Sequence, residues 1–153
     1  MLDADTDVLL TGTPDGVLVR SDGSHVIIDY KTAKFTASQD RLYPLYEAQL
    51  NAYALIGEHC GLAPVSGLAL VYAEPVSDRA SADRPENHSV QGFRLGFAPK
   101  VLSVVILPEL IPPLLATTRE LFDHQTMPTG RIGCENCKLL DDLLRIAAPV
   151  TLA

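Results

Sequence analysis

Two acids and one base stand where their side chains could meet. In "VIIDYKT", residues 26–32, three apolar residues lead into Asp29, Tyr30 and Lys31. Side chains on a strand repeat every second residue, so Asp29 and Lys31 share a face. A pair like this at a strand end can be a plain ion pair, or it can bind something. A third charge, Asp15, sits in "GTPDGVLV" on the preceding apolar run. A hairpin joins the two runs through "SDGS", and its loop length decides where Asp15 points. A two-residue turn at Asp22-Gly23 sets Asp15 opposite Tyr30, on the wrong face. A three-residue loop, Ser21-Asp22-Gly23 with Gly23 left-handed, sets Asp15 directly opposite Asp29. Two carboxylates so opposed repel, and a divalent cation is the natural counter-charge. The sequence leaves both registers open.

A helical pattern follows from Asp40 to Cys60. Leu42, Tyr46, Gln49, Tyr53 and Ile56 recur three or four residues apart, which predicts that this stripe packs on the sheet. Pro44 suits a first turn and Gly61 a stop. Gln49 and Tyr53, at i and i+4, stack on one face. A glutamine on a packed face needs a hydrogen-bond partner.

The remaining elements must carry this constellation. The chain has 153 residues, 47% hydrophobic and 20% charged, which suits one globular domain with its own core. Residues 7–20 and 25–31 read as the hairpin strands, and 67–76 as a buried strand. Residues 77–89, "SDRASADRPENHS", read as a mobile polar loop. One or two strands are expected within 92–107. A helix entered through Pro112 and Pro113 runs on through His124, "MPTGRIG" is a loop, and a short amphipathic helix spans 134–148. The order β-β-α-β-β-α-α predicts an α/β (α+β) domain with a central mixed sheet flanked by helices.

Composition excludes some classes. Net charge is −7, so a long nonspecific grip on nucleic acid gets no support from overall charge, although a local basic patch or a cation among acids would permit one. No apolar run reaches the roughly 18 residues of a membrane span, and "MLDADTDVLL" lacks the basic start of a signal peptide. Three cysteines, an odd number, argue for a reducing, cytoplasmic compartment.

Taken together, Gly12-Thr13-Pro14-Asp15, Asp29-Tyr30-Lys31 and Gln49-Leu50-Asn51-Ala52-Tyr53 resemble the PD-(D/E)xK nuclease superfamily. The RecB-type exonuclease branch, related to CRISPR adaptation nucleases, is the nearest in pattern. Each motif is weak alone; three in order on strand, strand and helix are specific. The resemblance implies a restriction-endonuclease-like core and a nuclease hydrolysing DNA, in settings such as DNA repair, with a helicase or other domain in the full-length protein. It implies that Asp15, Asp29 and the Tyr30 backbone carbonyl hold Mg²⁺ or Mn²⁺, since hard oxygen ligands suit those ions. Lys31 would hold the attacking water and offset phosphate charge, while Gln49 and Tyr53 would brace the site or contact the nucleic-acid backbone. It also implies a helix ahead of the first strand whose Glu or His completes the metal site. "MLDADTD" cannot supply that helix, so the chain is read as a single-domain fragment. Two other readings stay beside this one: a catalytically inactive nuclease-like module binding nucleic acid or a protein, and an unrelated α/β domain.

Cys134-x2-Cys137 is the second motif. Some relatives hold an iron–sulfur cluster with three cysteines after the core, and here only these two follow it, with Cys60 and His124 as the remaining candidates. A lone C-x2-C is half a metal site, so neither an iron–sulfur cluster nor zinc is expected. Arg131 and Lys138 beside the thiols form a small basic patch, either solvated or touching phosphate.

Overall fold

The computed structural model describes residues 1–35, 41–126 and 128–147. Its centre is a four-stranded sheet in the order β3-β4-β5-β8, built from β3 (Gly16–Val19), β4 (His25–Lys31), β5 (Val65–Pro75) and β8 (Phe97–Val104). β3 and β8 run antiparallel to their neighbours, and the central β4–β5 pair is parallel. The parallel pair needs a long crossover, which α1 (Tyr43–Gly57) supplies. The sheet is therefore mixed and flanked by helices, as the element order predicts, and the architecture is restriction-endonuclease-like.

The β3–β4 register resolves the hairpin. Gly16 pairs with Ile28 and Val19 with His25, so Arg20 faces Ser24 across a three-residue loop. The Arg20 N–H donates to Ser24 O at 2.8 Å, and the Gly23 N–H to Arg20 O at 2.9 Å. Gly23 has φ 82°, which favours glycine. Asp22 closes the loop, its Oδ1 accepting from the Ser24 N–H at 2.9 Å and the Ser24 hydroxyl at 2.7 Å. Those donations, the hydroxyl's foremost, hold the Asp22 carboxyl below its ordinary range. Continued one step past Gly16↔Ile28, this register would set Asp15 opposite Asp29; the regular ladder ends at Gly16, and Asp15 bonds the Tyr30 N–H through its side chain.

Cross-strand rows grade the covered sheet face from core to site. Ile27, Leu68 and Val104 form an apolar row. Asp29, Leu70 and Leu102 form the next, and Lys31, Tyr72 and Lys100 the one after. α1 covers the apolar end: Leu50 and Ala54 pack with Ile27, Val65, Leu68, Leu70, Tyr72 and Val104 in one cluster. α3 (Ile111–Asp123) buries Ile111 and Leu115, with Pro in its first turn as expected, and His124 caps it. α4 (Glu135–Ala147) ends the described chain. Residue 148 of the expected last helix, Met127 of the expected loop and Asp40 at the expected start of α1 lie outside the described residues.

Several expectations need correction. The expected strand over 7–20 is broken: Val8–Leu9 (β2) pairs with Leu2–Asp3 (β1) in a separate ribbon, and only Gly16–Val19 joins the main sheet. Pro14 cannot donate to a ladder, and the Gly12–Asp15 stretch turns toward the site instead. Residues 77–89 are not a structureless loop. Asp78 caps one turn of helix, α2 (Arg79–Ala82), by accepting from the Ser81 N–H at 2.9 Å. Pro85–Asn87 forms a further turn, and His88–Ser89 (β6) pairs with Gly92–Phe93 (β7). α1 also ends differently from a simple glycine stop. A wider turn over Glu58–Leu62 follows it, within which Gly61 takes φ 95°. The packed face of α1 is wider than the expected stripe: Tyr46 and Tyr53 pack half-buried against the core as expected, Leu50, Asn51, Ala54 and Gly57 are buried beside them, and Leu42 is 52% exposed.

Candidate active site

Asp29 is 4% exposed, because β4 lies between β3 and β5 and α1 covers this face. Its Oδ2 lies 2.5 Å from Lys31 Nζ, an ion pair with side-chain exposures of 19% for Lys31 and 5% for Asp29. Besides this ion pair, the same oxygen has no further hydrogen-bond partner among the described residues. Lys31 Nζ also stands 4.2 Å from the centroid of the Tyr46 ring, so acid and aromatic face together fix the ammonium. Tyr46 is a site residue that the motif pattern did not single out.

Asp15 is exposed and Oδ2 accepts the Tyr30 N–H at 2.8 Å. In an extended strand the N–H and C=O of one residue point to the same edge. The Tyr30 carbonyl therefore faces the edge that Asp15 occupies. The geometry ties Asp15 directly to Tyr30, the residue that follows Asp29.

Gln49 and Tyr53 meet on the shoulder of α1, where Gln49 Nε2 donates to the Tyr53 hydroxyl at 2.8 Å. The partner required by a half-buried glutamine is thus its own i+4 neighbour. Tyr53 in turn explains Gly12. A Cβ at Gly12 would collide with Cε1 of the Tyr53 ring and lie 2.9 Å from Cδ1. The glycine three residues before Asp15 is where the chain slides past that ring. Gly12→Ala should push Tyr53 aside, break the Gln49 contact and destabilise the fold by about 1–3 kcal/mol, the usual cost of overpacking. Urea denaturation checks this. The double variant Gly12→Ala/Tyr53→Ala should lose less than the sum of the two single changes, because the clash disappears with the ring.

The donor set suits a hard divalent cation. Asp15, Asp29 and the Tyr30 carbonyl all offer oxygen donors, with Asp15 bonded to the Tyr30 N–H and Asp29 the residue before it on β4. Three protein ligands would leave the remaining coordination to water, as Mg²⁺ commonly keeps it. Among the described residues no three of His, Cys, Asp and Glu gather closely enough to hold a metal.

The cysteine pair lies apart from this constellation in sequence. Cys134 precedes α4 and Cys137 sits in its first turn, both half-buried, while Cys60 is exposed in the turn after α1. The Cys137 N–H and thiol, with Asn136 and Arg131, hold the Cys134 thiol below its usual range. Lys138 pairs with Asp142 at 2.8 Å, so one member of the small basic patch is already engaged.

The family model of the PD-(D/E)XK nuclease superfamily matches residues 2–141. The chain belongs to that superfamily. No match is found among curated proteins or among solved structures. Membership accounts for the fold and for a chain of nuclease ancestry whose relatives bind nucleic acid and use divalent metals. No helix of the described residues is long and apolar enough to cross a membrane.

Proposed function

We propose that this chain is a metal-dependent nuclease domain of the RecB-type, exonuclease-like branch, related to the CRISPR adaptation nucleases. Its substrate would be DNA, cleaved at phosphodiester bonds, within a longer protein that carries a helicase or another domain. The observation that supports this reading is the Asp15 carboxylate on the Tyr30 N–H, between Asp29 and Lys31 of β4, which pair with each other on one face. The odd number of cysteines supports a reducing, cytoplasmic setting.

Asp15, Asp29 and the Tyr30 carbonyl would hold Mg²⁺ or Mn²⁺. When bound, the ion lowers the pKa of a water and offsets charge on the scissile phosphate. Lys31, as an ammonium, can only donate hydrogen bonds. It therefore orients the attacking water and stabilises the charge that builds on the phosphoryl oxygens, rather than removing a proton. Asp29 holds that ammonium from below and the Tyr46 ring from the side. Gln49 and Tyr53 brace the Gly12–Asp15 segment, and so set where the Asp15 carboxylate lies.

The test is cleavage of end-labelled single- and double-stranded DNA, and of RNA, with Mg²⁺, with Mn²⁺ and after chelation. Cleavage of DNA that needs the metal, stops with chelator and releases nucleotides from an end is the expected result. The second reading is an inactive module that binds nucleic acid or a protein. It is favoured by the gathering of only two carboxylates, and binding without cleavage under every metal would establish it.

A further inference from the structure

Lys100 lies in the same cross-strand row as Lys31. Lys31 pairs with Tyr72 on β5, and Tyr72 pairs with Lys100 on β8. Directly paired residues share a face, so both lysines stand on the face that carries Asp29. Two strand spacings separate them, about 10 Å at roughly 4.8 Å each.

The Lys100 ammonium is held in place. Its Nζ sits 3.7 Å from the centroid of the Phe35 ring. Phe35 is itself fixed on two sides: its N–H donates to Glu74 Oε1, and its ring meets Tyr72 edge-on at 5.2 Å between centroids. Glu74, diagonal to Lys100 on this face, accepts the Phe35 N–H and makes no ion pair with Lys100 among the described residues. Among the described residues Lys100 makes no ion pair, whereas Arg79, Arg119, Lys138 and Arg145 each close on an aspartate. An exposed cation ordered by an aromatic face, without a carboxylate to neutralise it, keeps its charge for an outside anion. On a chain of net charge −7, attraction to phosphate must come from cations placed within about a Debye length of the site, about 8–10 Å.

We propose that Lys100, held over the Phe35 ring, binds a backbone phosphate neighbouring the scissile one and so positions the strand across Lys31 and Asp29. This deepens the nuclease reading and rests on it. Lys100 acts by holding the strand and touches none of the reacting atoms.

The experiment measures binding and cleavage separately. Affinity for fluorescein-labelled single-stranded DNA is followed by anisotropy over a salt series in the wild-type chain, Lys100→Gln, Lys100→Arg, Phe35→Leu and Arg79→Gln, with Ca²⁺ in place of Mg²⁺. Lys100→Gln should weaken binding and reduce the slope of log K against log salt by about 0.7, the value for one phosphate contact on a single strand. In cleavage assays with Mg²⁺ it should raise KM and leave the rate at saturating DNA unchanged. Lys100→Arg should restore the slope, Phe35→Leu should weaken binding with the slope largely kept, and Arg79→Gln, an exposed cation of α2, should match wild type. An unchanged slope in Lys100→Gln overturns the proposal even where the wild-type chain cleaves DNA. An equal fall in the rates at limiting and saturating DNA overturns it too. A lowered slope in a chain that cleaves nothing with any metal upholds the phosphate contact and removes the nuclease reading instead.

Discussion

Asp29→Asn is expected to end metal-dependent cleavage while the protein stays folded. Asparagine keeps the shape of the buried side chain but loses the charge that would hold a cation and that now holds Lys31. A loosened ion and a wandering ammonium both misplace the attacking water, and misplacement of about 1 Å can cost about 10²-fold in rate. Stability should fall by only about 1–3 kcal/mol, the cost of losing a charged hydrogen-bond partner. Lys31 keeps the Tyr46 ring and can still reach water. Lys31→Ala should also end cleavage, but at a larger stability cost of about 3–5 kcal/mol, since it strands a buried carboxylate without its counter-charge. The double change Asp29→Asn/Lys31→Met should recover much of that stability and none of the activity. Urea midpoints and cleavage rates on the same samples give both quantities. A folded Asp29→Asn protein that still cleaves DNA with Mg²⁺ would remove Asp29 from the site.

How much of this could be read in the residues depends on whether the determinant was local. The three-residue hairpin loop rests on Asp22, Gly23 and Ser24, all adjacent, and the sequence offered it as one of two registers. The entry of α1 near Pro44 was legible for the same reason. The four-stranded sheet followed from long apolar runs. The ribbon of Leu2–Asp3 with Val8–Leu9 was not legible, since two-residue strands are too short to show a period of two. The packed aromatic stripe of α1 was legible through Tyr46 and Tyr53, but the more deeply buried Ala54 and Gly57 were not, because aromatic residues outweigh small ones in any hydrophobic pattern. Tyr46 and Lys100 were invisible as partners. One depends on how α1 crosses β4, the other on the β5–β8 register, and both are set by tertiary packing. Within the candidate site, the motif spacings carried Asp15, Asp29 and Lys31, but the reason for Gly12 emerged only from the Tyr53 ring beside it.

The largest expected loss of stability from a single neutral change belongs to Asn51→Ala. Asn51 lies inside the Gln49–Tyr53 motif, yet it faces the core and is 1% exposed. Its Nδ2 donates to Glu47 O at 2.9 Å and to Val105 O at 3.1 Å, and its Oδ1 accepts the Leu107 N–H at 2.6 Å. The side chain thus fastens α1 to the segment that leaves β8 and leads through Pro108–Leu110 into α3. No regular ladder satisfies backbone at such a crossing, so the amide does. Alanine removes three hydrogen bonds and leaves a cavity where the amide stood. Leu107 N–H is half-buried and loses its acceptor outright, whereas the exposed end at Val105 can be rehydrated. The expected cost is about 2–4 kcal/mol, from one stranded donor and the lost contacts. For a domain of this size that is a fall in Tm of about 5–15 °C. Asn51→Asp should cost more, since it removes both donors and buries a charge. Both are measured by thermal unfolding followed by circular dichroism. A Tm within one degree of wild type for Asn51→Ala would mean that α1 is held to the sheet by apolar packing alone. If the tie matters as argued, cleavage should also weaken at temperatures where the variant is still folded, because α1 carries Tyr46, Gln49 and Tyr53 to the site.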